Sequence, residues 1–128
     1  MHLAQYRGAS SEYKAAALFS SQGWSIFWTP NGFSSCDFIM ISGGEIKKVQ
    51  VKTAHWCTRN NSRFLRSTIR ASKEYIASDF DLMIIVDPDG RMWAIPYEHI
   101  PTTSNIYLEK RKDGEVVDYG RSKWMVKT

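Results

Sequence analysis

Two short apolar segments separated by a pair of glycines constrain the fold of this chain more than any other feature. Asp37–Ile41 and Ile46–Thr53 are each of strand length, and the residues between them include Gly43-Gly44, a pair that tight hairpin turns favour. We therefore predict an antiparallel hairpin in which alternate side chains project from opposite faces. Residue 37 then comes close to residues 50–52 on the neighbouring strand.

The same pattern predicts two more hairpins farther along the chain. Their strands are Leu82–Val86 with Arg91–Ile95, and Ile106–Leu108 with Glu115–Tyr119. A further strand is predicted over Trp24–Thr29, where large apolar residues alternate. The segment 57–79 is left open between strand and helix.

One helix is predicted before these strands, from Ser10 to Gln22. Ser10 is a favourable N-cap, and Gly23 suits the left-handed residue that follows a helix. Together with the hairpins, this helix predicts an α/β fold with a central mixed β-sheet built from hairpins and flanked by helical structure. Glu12 shares the face of the helix that carries Phe19, so its carboxylate is expected to point inward.

Length and composition narrow the class of protein. The chain has 128 residues, a formal charge of +4 and 43% hydrophobic residues, which fits a single packed domain over residues 1–128. No apolar run is long enough for a membrane span and the N-terminus lacks a signal-peptide pattern, so we expect a cytoplasmic protein that is not secreted.

Two cysteines are too few for a disulfide scaffold or a four-ligand zinc site. The histidine of His55-Trp56-Cys57 has no second ligand pair at zinc spacing, so we expect His55 to line the cleft and Trp56 to lie in the core or at an interface.

The first hairpin carries the residues that predict chemistry. Gln50 and Lys52 project from the same face of their strand, and Asp37 lies close to them in the predicted hairpin. Mg²⁺ prefers oxygen ligands and keeps several waters, so one or two carboxylates suffice to hold it. An adjacent ammonium group can orient a nucleophilic water or offset negative charge in phosphodiester hydrolysis. An acid on an inward helix face is costly unless it binds a cation, so Glu12 is expected to point at the same site.

Each of these residues also has an ordinary structural explanation. Asp37 alone could be a solvated residue at the start of a strand, and Gln50 and Lys52 could be polar side chains at a sheet edge. Glu12 could be a first-turn acid favoured by the helix dipole. The four residues favour a nuclease only in combination.

In that combination the sequence resembles the PD-(D/E)xK nuclease superfamily. The matching residues are Gly8 and Glu12 in a Gly-x-x-x-Glu helix start, Asp37, and Gln50-Val51-Lys52-Thr53. The Gln-x-Lys ending is most similar to the intron-encoded homing endonuclease branch, and the helix start is similar to archaeal Holliday-junction resolvases. The resemblance implies a restriction-endonuclease-like core over about residues 8–96, followed by an extension over 97–128.

The resemblance also implies roles for the matching residues. Glu12, Asp37, Gln50 and Lys52 would be catalytic, with Mg²⁺ (or Mn²⁺ in its place) held by Glu12, Asp37, Gln50 and the Val51 carbonyl. The implied activity is metal-dependent hydrolysis of DNA phosphodiester bonds by a homing-type or phage endonuclease. A structure-specific nuclease of the junction-resolvase kind and an inactive DNA-binding module on a nuclease fold are the alternatives.

The sequence departs from the superfamily pattern at two positions. Cys36 stands where the pattern has proline, and Gln50 replaces an acid, which removes one negative charge from the site. A competing alignment would use Glu45 and Lys47 as the acid-x-Lys motif. We reject it because Glu45 lies at the hairpin turn, too far along the strand to share a cation with Asp37.

A basic segment follows the second strand of the first hairpin. From residue 55 to 73 the chain has no acidic residue, so it is suited to neutralising DNA phosphates. Its candidate DNA-binding residues are Arg59, Arg63, Arg66, Arg70 and Lys73. A helix would gather the last four on one face. Since one domain offers one site, cleavage of both strands of double-stranded DNA implies a homodimer or homotetramer.

Overall fold

The computed structural model describes residues 3–30, 36–69 and 75–127, and only the backbone of residues 3–8. In chain order the elements are α1 Leu3–Ser21, β1 Ser25–Trp28, β2 Phe38–Ser42, β3 Glu45–Thr53, β4 His55–Arg59, β5 Ser62–Thr68, β6 Leu82–Val86, β7 Met92–Pro96, β8 Asn105–Lys112 and β9 Glu115–Val117. Single 3-10 turns lie at Tyr97–His99 and Ser122–Trp124.

The helix α1 begins earlier than its sequence pattern predicts. It starts at Leu3, so Ser10 is an interior residue and its assignment as the N-cap is wrong. The chain before Ser10 contains strong helix formers such as Ala4 and Gln5, and these extend the helix past a residue that would otherwise favour a cap. The predicted end is confirmed, because Gly23 has a φ of +96° and the Trp24 N–H donates to the Phe19 carbonyl at 3.0 Å.

The three predicted hairpins are all present. Phe38 pairs with Val49 across β2 and β3, with Gly43 and Gly44 at positive φ in the turn. The pairs β6–β7 and β8–β9 are likewise antiparallel. Turn chemistry and alternating apolar residues were sufficient to predict these pairings because both signals are local.

The first sheet is mixed and has the strand order β1-β2-β3-β6-β7. Its central pair, β3 and β6, is parallel, and its other pairs are antiparallel. The predicted α/β fold with a central mixed sheet built from hairpins is therefore confirmed. The α1 residues Ala15 and Phe19 pack on one face of this sheet together with Val49 and Val51.

A second sheet, which the sequence analysis did not separate from the first, has the strand order β4-β5-β8-β9 and is antiparallel throughout. The strands β4 and β5 occupy part of the segment left open above, and they are joined by Asn60 and Asn61 at φ values of 51° and 63°. The arginines of this hairpin therefore lie on strands, not on a helix. The extension after residue 96 completes the sheet by supplying β8 and β9.

The two sheets share a core on the side of the first sheet that faces away from α1. Met83 and Ile85 of β6 pack there with Leu65 of β5 and Ile106 of β8. The described residues thus form three layers, in the order helix, first sheet and second sheet. None of the helices in the described part of the chain is long and apolar enough to cross a membrane.

A chain of ion pairs also joins the two sheets. Arg91, just before β7, contacts Asp87 at 2.7 Å and Glu109 of β8 at 2.8 Å, and Arg111 contacts Glu109 at 3.1 Å. The Asp87 side chain is completely buried. Burial alone would raise the pKa of Glu109, but hydrogen bonds and charges from Arg91 and Arg111 outweigh burial and lower it.

Candidate active site

Two carboxylates from distant parts of the sequence meet where α1 crosses the first sheet. Glu12 of α1 is hydrogen-bonded to Asp37, the residue that precedes β2. Burial, this hydrogen bond and the charge of Asp37 raise the pKa of Glu12 from 4.5 to about 7. Negative charges on neighbouring carboxylates repel, so binding of a proton or a cation to the pair is favoured. The pair is therefore a candidate cation site, and without a metal Glu12 keeps its proton up to about neutral pH.

Backbone and side-chain hydrogen bonds fix Asp37 beside the edge of β3. Its N–H donates to the Val49 carbonyl at 2.7 Å, and its Oδ2 accepts a bond of 2.6 Å from the Val51 N–H. From the other side, the Thr29 N–H and hydroxyl donate to the Asp37 carbonyl at 3.2 and 3.0 Å. The carboxylate is thus held at the level of Val51, which is the middle residue of Gln50-Val51-Lys52.

A second contact sets the position of α1 over the same strand. The Ser11 hydroxyl lies 2.7 Å from the Thr53 hydroxyl, and both residues are sequence neighbours of candidate site residues. Next to this contact is an open cleft of about 320 Å³ at the carboxyl ends of the parallel strands β3 and β6. Its lining includes Lys14 and His55, so His55 lies in a cleft as predicted.

Gln50 and Lys52 flank Val51 on β3 and are half-buried. Val49 and Val51 pack against α1, so the alternation of a strand directs the two polar side chains toward its opposite face. Among the hydrogen bonds and ion pairs of residues 3–30, 36–69 and 75–127, none joins either side chain to the carboxylate pair. The roles of Gln50 and Lys52 therefore stay predictions.

The part of the chain that the structure describes has no cluster of three or more His, Cys, Asp and Glu side chains that could hold a metal. A Gln side-chain oxygen and a main-chain carbonyl are the further ligands that the sequence predicts from Gln50 and Val51, and Mg²⁺ accepts both.

The described part of the basic segment, residues 55–69, carries the strands β4 and β5 of the second sheet, and its arginines point in two directions. Arg63 lies over the Trp56 ring at 4.6 Å, whereas Arg59 lies over the Phe64 ring at 5.9 Å. Trp56 packs against the core between the sheets, as predicted. Arg66 is half-buried on β5. Arg70 and Lys73 lie outside the described residues.

No sequence motif pointed to the residues that position the carboxylates. Thr29, Ser11 and Thr53 are single hydroxyl residues in strand and helix segments, and no motif spacing distinguishes them from other surface hydroxyls. The one available signal was the sequence proximity of Ser11 to Glu12 and of Thr53 to Lys52. Their contacts depend on how α1 and β1 lie against β3, which is a tertiary property.

No protein-family model matches the chain. The chain is similar to Protein 5.3 of Escherichia phage T7, with 27% identity over 110 residues, which cover 84% of this chain and 92% of that protein. Among solved structures it is similar to the bacterial homing endonuclease I-Ssp6803I, with a TM-score of 0.70 and 20% identity, covering 84% of this chain and 78% of that one. The chain therefore has a homing endonuclease-like fold.

Proposed function

We propose that this protein is a Mg²⁺-dependent endonuclease that hydrolyses phosphodiester bonds in double-stranded DNA. The observation that carries the proposal is the pairing of Glu12 with Asp37 beside Val51, in a chain whose fold is like that of a homing endonuclease. The sequence resemblance to PD-(D/E)xK nucleases selects the same residues independently of this geometry.

The carboxylate pair fits a divalent cation. Burial, and after it the neighbouring Asp37, raises the pKa of Glu12, and a cation bound to the pair would replace the proton. The Val51 N–H points at Asp37, and because the N–H and C=O of a strand residue leave toward the same edge, the Val51 carbonyl is available there too. Glu12, Asp37 and the Val51 carbonyl would hold the ion at the edge of β3 that lies beyond the Phe38–Val49 pair. The Gln50 side-chain oxygen would reach the same edge from the other face of β3.

The bound ion would polarise the scissile phosphate and make a water molecule more acidic. In this mechanism Lys52 orients the attacking water and offsets the negative charge that develops on the phosphoryl oxygens. The Asp37 backbone is fixed by its bonds to Thr29 and Val49, and its carboxylate by the Val51 N–H, so the carboxylate does not need to reorganise during the reaction. Gln50 supplies a neutral oxygen in place of an acid, so Glu12 carries more of the charge at the site.

DNA is the partner that this activity requires. Arg59 and Arg66 on β4 and β5, together with Arg70 and Lys73, would neutralise phosphates near the scissile bond and make binding depend on salt. One domain carries one such site, so cutting both strands would require a homodimer or homotetramer. We assign residues 1–128 to one nuclease domain.

Substitutions on β3 and at the start of β2 test this function. Lys52→Ala and Asp37→Ala should each reduce Mg²⁺-dependent nicking of supercoiled plasmid by at least ~100-fold, because each removes a group that acts on the transition state. Affinity for DNA, measured with Ca²⁺ in place of Mg²⁺, should change less than about threefold, a change of under about 0.7 kcal/mol.

Lys47→Ala is the matched control, since Lys47 is also a half-buried lysine of β3 but lies near the hairpin turn. This variant should nick plasmid at the wild-type rate. Undiminished nicking by both Lys52→Ala and Asp37→Ala would rule out the proposed site. If the wild type binds DNA but cuts neither plasmid nor a four-way junction with any divalent metal, the protein is an inactive binding module. Preferential cutting of the junction would identify a structure-specific nuclease.

A further inference from the structure

The second sheet has one face against the core and one face toward solvent, and the strand register assigns each side chain to one of them. Leu65 of β5 and Ile106 of β8 point into the core. Their neighbours Phe64 and Tyr107 therefore point outward, and their rings meet edge to face at 5.9 Å. We name this solvent side the outer face; its side chains include Arg59, Phe64, Arg66, Tyr107 and Lys110.

We propose that the outer face is a duplex DNA-binding surface, with the β4–β5 hairpin entering the major groove. This inference rests on the proposed function, because it names the surface that would hold the DNA for the candidate active site. It also adds Lys110 to the DNA-binding residues. Arg59 and Arg66 remain DNA-binding residues, whereas Arg63 lies on the other face of the sheet and is assigned a structural role.

On the outer face, two positively charged side chains lie over one aromatic ring. Arg59 lies 5.9 Å and Lys110 5.6 Å from the centre of the Phe64 ring. Phe64 pairs with Lys110, and Arg66 with Tyr107, across β5 and β8. Contact with the rings restricts the long cationic side chains, so less conformational entropy is lost when they bind phosphate.

The charge of the outer face is not neutralised within the described residues. Among the described residues, the ion pairs involve only Arg91 and Arg111, which contact Asp87 and Glu109 and do not lie on the outer face. Arg59, Arg66 and Lys110 take part in none of them. A surface with several uncompensated cations and few acids is complementary to a polyanion.

The inner face offers a matched contrast. Arg63 and Arg111 lie over the Trp56 ring at 4.6 and 4.9 Å, and Arg111 is also bonded to Glu109. Each face therefore has two cations over one aromatic ring, but on the inner face one of them, Arg111, belongs to the ion-pair chain that joins the sheets. We assign Arg63 and Arg111 a structural role.

The shape of the β4–β5 hairpin selects the groove. The strand β4 is the edge strand of its sheet, in which β5 pairs with β8 on the other side, so the β4–β5 edge of the sheet can approach a major groove, which admits a pair of strands. The exposed residues at its tip are Arg59, Asn60 and Asn61, and arginine and asparagine side chains are the types that bind guanine and adenine edges in that groove. The tip would contact bases, and Arg66 and Lys110 would contact phosphates.

The hairpin is also connected directly to the candidate active site. β4 begins two residues after β3 ends, since Ala54 alone separates them. Five strand residues from His55 to Arg59 extend over roughly 17 Å at about 3.3 Å per residue, the length of about five base pairs. The base contacts would therefore lie within about half a turn of duplex from the scissile bond.

Two double variants test the surface, each removing two positive charges from above one ring. Arg59→Gln/Lys110→Gln alters the outer face and Arg63→Gln/Arg111→Gln the inner face. Affinity for a duplex oligonucleotide is measured by fluorescence anisotropy with Ca²⁺ over a range of KCl, with thermal unfolding recorded for each protein. The outer variant should bind at least about tenfold more weakly, and the slope of log K against log salt should fall by about 2. The inner variant should lose less than about threefold in affinity, a change of under about 0.7 kcal/mol.

The inference is overturned if the inner variant loses as much affinity as the outer one, if the outer variant binds like the wild type, or if a single strand of equal length binds more tightly than duplex. These measurements do not depend on cleavage. If the wild type never nicks plasmid but the outer variant alone loses affinity for DNA, the proposed function is refuted. The outer face then remains supported as a DNA-binding surface. If the wild type nicks plasmid and the two double variants bind DNA equally well, the proposed function stands and the outer face is refuted as the binding surface.

Discussion

The proton shared between Glu12 and Asp37 predicts that the apoprotein loses stability as the pH rises, and that Glu12→Gln abolishes this loss. The pKa of Glu12 is raised to about 7 in the folded protein from 4.5 in the unfolded chain, first by burial and then by Asp37. The folded state therefore binds a proton that the unfolded state releases between these values. The stabilisation is complete below pH 4.5 and is lost as the pH rises through about 7.

The size of the effect follows from the same values. A tenfold change in proton affinity corresponds to about 1.4 kcal/mol, so moving the pKa from 4.5 to about 7 sets a ceiling of about 3.4 kcal/mol. Water screens Glu12, which is only partly buried, and we expect about 1 to 2 kcal/mol to remain. For a domain of this size that is a fall in Tm of about 4 to 8 °C.

Thermal unfolding of the metal-free protein between pH 5 and 8.5 measures this effect. The amide that Glu12→Gln introduces can donate to Asp37 at every pH, so the difference in Tm between variant and wild type should grow in favour of the variant as the pH rises. Millimolar Mg²⁺ at pH 8 should raise the Tm of the wild type and have a smaller effect on the variant, because the ion replaces the lost proton. Parallel pH profiles of the two proteins would refute the assignment of the shared proton.

Two further changes test other parts of the structure. Arg91→Met should lower the free energy of unfolding by about 3 to 5 kcal/mol, because it leaves the buried Asp87 carboxylate without its cation; urea unfolding measures this, and a loss below about 1 kcal/mol would show that the ion-pair chain contributes little. Gln50→Glu should lower the Mg²⁺ concentration that gives half-maximal nicking at pH 8 by roughly tenfold, since a carboxylate binds Mg²⁺ more strongly than an amide. An unchanged Mg²⁺ dependence would place Gln50 away from the ion.

The sequence by itself determined the parts of this protein that depend on near neighbours. Gly43 and Gly44 specify a tight turn, and the register of β2 and β3 that follows from it brings Asp37 to Val51. Gly23 likewise specifies the end of α1. These features were predictable because positive φ and side-chain alternation leave few local alternatives.

Only the tertiary structure decided which distant groups meet. The bond between Glu12 and Asp37 and the support of Asp37 by Thr29 depend on how α1 and β1 pack against β3. The separation of the second sheet, which turns Arg59 and Arg63 toward opposite faces, required β8 to pair with β5, a strand far from it in the sequence. Local propensity carries no information about such pairings, because burial of the shared core between the sheets selects them.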